Sequence, residues 1–505
     1  MRRFFLTLAA ALVAAQCHCG LRIADCGFDW AIVNAQSPNP QSIRNPQSAI
    51  RNGEDATARH FASIRSDPSQ LLGFLNEMPK GGDLHNHLSG AIYAESYLRW
   101  AAEDDQCLVT ATMTIAVGPC DADSGRPPAA DVLRNPALYN QVIDAMSMRH
   151  WNPALNGHDH FFAAFGKFGP PSDKTGHMLA EVASRAAAER VSYLELMLTP
   201  NGPAARRRAV PLDPDFSRMR DRLLAGGFQE VVAEARRQMD EAESRQRELL
   251  RCRASNPDPG CRVVIRYISQ TARAGVPEQV FAQLLTAFEI ATQDPRFVGI
   301  NLVQPEDDPT AVRDFSLQMR MIDFLRGKYP QVPIALHAGE LVEGLVPPEA
   351  LRFHIRDSVR IGHARRIGHG GGVIYEDDAR GLLREMAARK VLVEVALSSN
   401  DLILGIRGKR HPLAMYLKFG VPVALVTDDA GVARSTLTLE FRRAVEEQGL
   451  DYRTLKKMAR NSLEYSFADA ATRARLQAEL DAAFVEFERT IHAPTRRPPD
   501  GQTPD

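Results

Sequence analysis

The sequence predicts an α/β protein in which repeated strand–helix units close into a (β/α)8 barrel. Three observations carry the prediction. Short apolar runs alternate with long amphipathic stretches, the pattern of parallel strands joined by crossover helices. Eight such runs lie between Gly82 and Thr427, the strand number at which a parallel sheet closes around an interior filled by side chains. Polar, chemically capable residues sit where the runs stop, at what would be the C-terminal rim of the barrel, where barrels of this kind carry their sites.

In chain order, residues 1–20 read as a signal peptide: Arg2-Arg3, an apolar run from Phe4 to Ala15, then small residues. The run is short for a bilayer span, so a retained anchor is the alternative, and export to the periplasm or the extracellular space is the expectation. Residues 21–57 read as a disordered linker. They are rich in Asn, Pro, Gln and Ser, and Asn39-Pro-Gln-Ser-Ile-Arg44 is echoed by Asn45-Pro-Gln-Ser-Ala-Ile-Arg51. Order is expected from Ala58, with helix through Phe61, Ile64, Leu71, Leu72 and Leu75 ending before Pro79. The barrel domain spans 58–492. Its expected strands are 82–87, 191–198, 262–269, 297–303, 332–337, 366–369, 391–397 and 421–427, with helices over 219–250, 277–292, 310–328, 379–390 and 412–419. An insertion over about 107–138, Pro- and Asp-rich, separates the first two strands. Residues 493–505 read as a disordered tail.

Of seven cysteines, Cys17, Cys19 and Cys26 fall in or just after the leader. The other four allow three pairings. The short-range one, Cys107–Cys120 and Cys252–Cys261, would staple two polar segments in an oxidising compartment; four buried thiols are the alternative. Net charge is −1, from 61 basic and 62 acidic residues. Such a balance creates no field favouring nucleic acid or an anionic membrane and suits a small-molecule partner. No stable membrane span is expected, and a homodimer is left open.

His85 and His87 are two apart, so on a strand both imidazoles face the same way and can grip one cation. Asn301 with Gln304, His337-Ala-Gly-Glu340, His369-Gly370, Ser398-Ser399-Asn400 and Asp428-Asp429 end later strands. Of 14 histidines, four fall at such ends, together with two adjacent aspartates. His85, His87, His337 and Asp428 form a suitable ligand set for one Zn2+, with iron, manganese or cobalt as alternatives. Glu340 can serve as a general acid, and either His369 or Asp429 can handle the proton of a water acidified by the cation. Asp428 and Asp429 could instead be an ordinary helix N-cap pair. His363 precedes a strand and reads as structural, His158 and His160 as the start of a helix, and Lys80 as a charge at the surface or behind the site.

These residues resemble the adenosine deaminase family of metal-dependent amidohydrolases. The resemblance rests on Pro79-Lys80, Leu84-His-Asn-His-Leu-Ser-Gly-Ala91, His337-Ala-Gly-Glu340, Arg366-Ile-Gly-His-Gly370, Ser398-Ser-Asn400 and Thr427-Asp-Asp429, in order between Met78 and Phe467. The leader and the cysteine-bearing insertion are similar to those of the extracellular branch of that family. The resemblance implies a TIM barrel of the metal-dependent hydrolase type with extra N-terminal helices. It further implies one zinc on His85, His87, His337 and Asp428, Glu340 protonating a purine ring, and His369 with Asp429 assisting attack at C6, so that ammonia leaves a purine nucleoside. Two positions depart. Ser89 stands where the family has an acid that contacts the ribose. Asn301-Leu-Val-Gln-Pro-Glu306 stands for Asp-Leu-x-Gly-x-Glu, so Gln304 replaces a glycine whose amide meets the purine. A barrel amidohydrolase cleaving an amide or ester, and a catalytically idle binding protein of the same fold, are the other readings.

Overall fold

The strands lie where the apolar runs place them. In the computed structural model, which describes residues 46–153 and 156–491, they are β1 (Gly81–His87), β2 (Cys107–Val109), β3 (Thr114–Ala116), β4 (Val191–Leu198), β5 (Val264–Ala272), β6 (Phe297–Val303), β7 (Ala335–Ala338), β8 (Arg366–His369), β9 (Leu392–Val395) and β10 (Val423–Leu425). Eight of them are parallel and run in two sheets ordered β1-β4-β5-β6 and β10-β9-β8-β7. Backbone hydrogen bonds close both seams. Asp428 N–H donates to the His85 carbonyl at 2.8 Å and His87 N–H to the Asp428 carbonyl at 3.2 Å, while Ile300 N–H reaches the Pro333 carbonyl at 3.2 Å. The result is the predicted barrel, with β2 and β3 as an antiparallel pair outside it.

Several boundaries moved, each for a local reason. β5 starts two residues later than expected because Pro259–Arg262 is a 3-10 turn, capped by the Asp258 side chain and tied by the Cys252–Cys261 disulfide. The expected helix over 219–250 is two helices, Phe216–Ala225 and Gln229–Leu249, broken at Gly226-Gly227, where Gly227 has φ +76°. The second expected disulfide, Cys107–Cys120, joins the start of β2 to the loop after β3. The first helix runs over Pro46–Ile64 rather than beginning near Ala58, with proline at its opening position. Its Glu54 pairs with the buried Lys456 at 2.7 Å, and Phe61 packs on Phe74 with ring centres 5.1 Å apart. The expected signal peptide, the expected linker up to residue 45 and the expected tail from residue 493 lie outside the described residues. Among the described residues, no helix is long and apolar enough to cross a membrane.

Inside the barrel the wall carries charge as well as hydrocarbon. Arg366 on β8 is 1% exposed and bridges Glu195 of β4 at 2.5 Å and Glu394 of β9 at 2.6 Å, with its guanidinium 3.8 Å from the Phe467 ring centre. Removing one member of a buried ion network leaves uncompensated charge and costs about 3–5 kcal/mol. Arg366→Met, which strands two carboxylates, is therefore expected to lose stability of that order in urea denaturation. An unchanged midpoint would show that the network is dispensable.

Candidate active site

Alternation along β1 turns His85 and His87 to the barrel interior. Their Nε2 atoms meet that of His337, from β7, at 3.0 and 3.1 Å. Asp428, just past β10, brings Oδ1 to 3.3 Å from both. All four side chains are buried, and their inward atoms lie within 4.8 Å of one another. Asp428 has a left-handed backbone, φ +60°, so its carboxylate turns inward while its amide and carbonyl stay paired with β1.

The outer ring nitrogens are held. His85 Nδ1 lies 2.7 Å from Glu394 Oε2, His87 Nδ1 2.8 Å from Gln270 Oε1 on β5, and His337 Nδ1 2.9 Å from Asn301 Oδ1 on β6. Each acceptor takes an Nδ1–H and leaves an Nε2 lone pair directed at the others. The Ser399 hydroxyl donates to Asp428 Oδ2 at 2.5 Å.

Glu340, three residues beyond His337, is set by its backbone. Its N–H and that of Gly339 donate to the Glu306 carboxylate at 2.7 and 3.2 Å, and Glu306 is braced by His354 Nδ1 at 2.6 Å. Burial, then the charges of Asp428 and Glu306, pushes the Glu340 carboxyl well above the usual carboxylate range. Asp429 occupies the N-cap position of a short helix, Ala430–Ala433, without making a capping bond, so the simple cap reading fails for it. Its carboxylate lies against Gly90, where a Cβ would meet Oδ1 at 1.7 Å. Only glycine admits that approach. Burial and the adjacent Asp428 raise the Asp429 carboxyl.

A directional hydrogen-bond chain fixes the state of His369. The Leu413 backbone N–H, which can only donate, reaches His411 Nδ1 at 3.1 Å. His411 therefore carries its proton on Nε2 and gives it to Asn400 Oδ1 at 3.0 Å. The Asn400 amide in turn donates to His369 Nδ1 at 3.1 Å. His369 is thus neutral, with its proton on Nε2, and burial holds both rings neutral, lowering His369 to about 4 and His411 to about 3.

His87, His337, Glu340, His369, Asp428 and Asp429 line one cavity of about 480 Å³ with Ser89, Gln304 and an aromatic wall of Phe161, Phe162 and Phe165. The wall belongs to helix Gly157–Phe165. His158 and His160 at the helix start are engaged with Asp307 and with the Asp144 and Ser147 carbonyls, as the helix-start reading expects. His363 pairs with Asp323 at the surface. Lys80 is a correction: it is fully buried and caps a helix end by donating to the carbonyls of Leu75, Met78 and Glu189 at 2.7, 3.1 and 3.0 Å, with burial lowering it to about 8.

A model of the adenosine deaminase family matches residues 170–483, more than half of the chain. The chain belongs to the adenosine deaminase family. It is 27% identical over 302 residues to an aminodeoxyfutalosine deaminase of Streptomyces coelicolor, covering 60% of this chain and 65% of that protein. It is 31% identical over 187 residues to an adenine deaminase of Sinorhizobium medicae, covering 37% and 52%. The chain thus spans less than two thirds of the length of these relatives. A solved amidohydrolase from Burkholderia ambifaria, with bound zinc, shares the fold at TM-score 0.56 and 18% identity, over 84% of this chain and 95% of that one.

Members of this family are metal-dependent hydrolases of amino-heterocycles, and the residues here fit a metal. Asp428 Oδ1, Glu340 Oε1, His369 Nε2 and Asp429 Oδ1 are buried without a hydrogen-bond partner among the described residues, and all four side chains face the cavity. Three Nε2 lone pairs and a carboxylate oxygen at 3.0–3.3 Å repel one another unless a cation lies between them. Of the two departures from the family pattern, Gln304 keeps φ +85°, a conformation glycine adopts freely. Its side chain turns aside to accept the Ala274 N–H at 3.0 Å.

Sequence reading missed Glu394, Gln270, His411 and the Phe161–Phe165 wall. Glu394 did leave a signal, a lone acid inside the apolar run Val391-Leu-Val-Glu-Val395. Acceptors behind metal-binding imidazoles typically set affinity by 10- to 100-fold. Gln270→Ala is accordingly expected to weaken metal binding by about that factor in chelator competition. His411→Phe frees Asn400 to turn and His369 to take the other tautomer. Its kcat should fall on the order of 10-fold or more with KM little changed, since a misplaced proton disables an active-site imidazole. An equal loss in kcat and melting temperature across His411 variants, including His411→Asn, would reduce the chain to a packing role.

Proposed function

We propose that the protein hydrolytically deaminates an aminopurine nucleoside, of which adenosine and 2'-deoxyadenosine are the simplest, to the corresponding inosine and ammonia. The observation that carries the proposal is Glu340: a buried carboxyl with no hydrogen-bond partner for Oε1, raised by burial toward its protonated form, in the same cavity as the histidine–aspartate cluster. An amide or ester hydrolase has no comparable need for an acid poised to protonate a ring nitrogen.

His85, His87, His337 and Asp428 would hold one Zn2+, which three imidazoles and a carboxylate suit in number and softness. When bound, the ion supplies a water acidic enough to attack near neutral pH. Glu340 delivers its proton to N1 of the purine as C6 is attacked, which makes the ring an electron acceptor. Asp429 would take a proton from the attacking water, because a cation held by Asp428 offsets the neighbouring charge that otherwise raises its carboxyl. His369, fixed with its proton on Nε2, donates a hydrogen bond to the attacking oxygen and stabilises the charge developing there. Asp429 passes that proton on to the amino group, which leaves as ammonia, and the hydroxyl proton left at C6 goes to Glu340 as the carbonyl forms. Phe162 and Phe165 give the planar base an apolar wall, and Gln304 presents its backbone in the turn that the family builds with glycine.

Export is also proposed, on the basic–apolar N-terminus and on two disulfides that an oxidising compartment would keep closed. The reaction is tested by ammonia release from adenosine, 2'-deoxyadenosine and adenine with metal-loaded protein. Glu340→Gln, which keeps the shape but cannot transfer the proton, is expected to lose on the order of 10²-fold or more in kcat, with about one metal per chain retained. Full activity in Glu340→Gln, or no ammonia from any aminopurine, would overturn the assignment.

A further inference from the structure

The turn that carries Glu340 is held from two sides by side chains of opposite charge. Glu306, just past β6, accepts the Gly339 and Glu340 amides at 3.2 and 2.7 Å. At the other end of the same turn, the His337 carbonyl accepts from Arg273 Nη2 at 3.1 Å. Arg273 directly follows β5, is 1% exposed and has no part in the chemistry above.

Its backbone is anchored at every hydrogen-bonding position. The Arg273 amide donates to the Val303 carbonyl at 3.0 Å, and its carbonyl accepts Gln318 Nε2, from helix Pro309–Lys328, at 2.7 Å. The amides on either side, of Ala272 and Ala274, donate to the Gln283 and Gln304 side chains at 2.9 and 3.0 Å. From this fixed stretch the guanidinium passes Leu302 of β6, whose carbonyl lies 3.4 Å from Nη2, and ends at His337 of β7.

A cation taken out of water needs a counter-charge close by, so a buried arginine is normally paired. Arg273 makes no ion pair among the described residues, and its Nε and Nη1 have no hydrogen-bond partner there. Burial lowers its hold on the proton, and the charges that oppose this are those of Glu306 and Glu340. The acids it faces are therefore the one that grips the turn and the one the turn carries. Packing alone gives no reason for the charge, since an apolar side chain of similar length fills the space without stranding N–H groups in the core.

We propose that Arg273 is a positioning residue for the proton transfer: with Glu306 it clamps the His337–Glu340 turn at both ends, and so sets the distance between the histidine that would hold the metal and the carboxyl that would give the proton. A shift at either clamp misplaces both groups together. This rests on the deaminase reading above.

The test reads kcat, KM, metal affinity by chelator competition and melting temperature for metal-loaded Arg273→Met, Arg273→Lys, Glu306→Gln and Arg273→Met/Glu306→Gln, with the best aminopurine as substrate. Arg273→Met is expected to lose about 10²-fold in kcat, the effect of misplacement by about 1 Å, with KM little changed. Its metal affinity should fall by about tenfold. Arg273→Lys, whose ammonium can still donate to the His337 carbonyl, should recover roughly tenfold or more of the lost kcat. Because both side chains hold one turn, the double variant should be little worse than the poorer single one. Where Arg273→Met does not fold, Gln318→Ala, which frees only the Arg273 carbonyl, replaces it, with kcat expected to fall roughly threefold or more at unchanged KM. Losses confined to melting temperature, a lysine no better than methionine, fully multiplicative losses in the double variant, or an unchanged kcat in Gln318→Ala would return Arg273 to a packing role. No ammonia from the wild type overturns the deaminase reading instead, and metal affinity then decides for or against the clamp.

Discussion

Three imidazole nitrogens aimed at one another across 3.0–3.1 Å are the constraint on which the rest of the structure depends. Such an arrangement has no favourable energy of its own. It is imposed from behind, where Glu394, Gln270 and Asn301 fix the rings from three different strands, and it is closed by Asp428 from a fourth. The barrel must therefore be complete and in register before the cluster exists. A one-residue slip of β1 would turn His85 and His87 out of the interior. The seam between β1 and β10, made through the amide and carbonyl of Asp428 itself, joins register to chemistry in a single residue.

The outer partners reach further than the cluster. Glu394 receives the His85 proton on one oxygen and Arg366 on the other. Arg366 continues to Glu195, which also accepts from the Tyr193 hydroxyl at 2.7 Å and the Phe467 amide at 2.6 Å. Burial alone would neutralise Glu394, but the Arg366 charge and the His85 bond hold its carboxyl below the usual range. A charged Glu394 makes His85 a better electron donor. The basicity of one side chain in the cluster is thus set from the opposite wall of the barrel.

The sequence made the rim legible because chemistry gathers where strands end, and His85, His87, His337, His369, Asp428 and Asp429 each end an apolar run. Glu340 was readable from its spacing to His337. The residues behind them were not. Glu394 and Gln270 act through neighbours 309 and 183 positions away in the chain, and His411 acts through Asn400; one sequence carries no record of such pairings. Composition misled at the N-terminus in the same way. The end of the stretch read as linker is helical from Pro46, and its Glu54 pairs with Lys456 far along the chain. Lys80, unremarkable in type, is buried because three helix-end and loop carbonyls surround its ammonium.

Chemistry and selectivity are built on different supports. The groups that would act on the amine sit at or just past strand ends, with His369 held by Asn400 and the Glu340 backbone held by Glu306. The groups that would choose the substrate sit on turns and on helix Gly157–Phe165. Gln304 shows what this separation permits. Holding a non-glycine residue at φ +85° costs about 1–3 kcal/mol, and the bond from Ala274 offsets part of it. The turn keeps a conformation that glycine adopts freely although the side chain differs from the family pattern, so the backbone shape there does not depend on glycine. Ser89 is the opposite case: the turn and Gly90 persist, but a charge is gone.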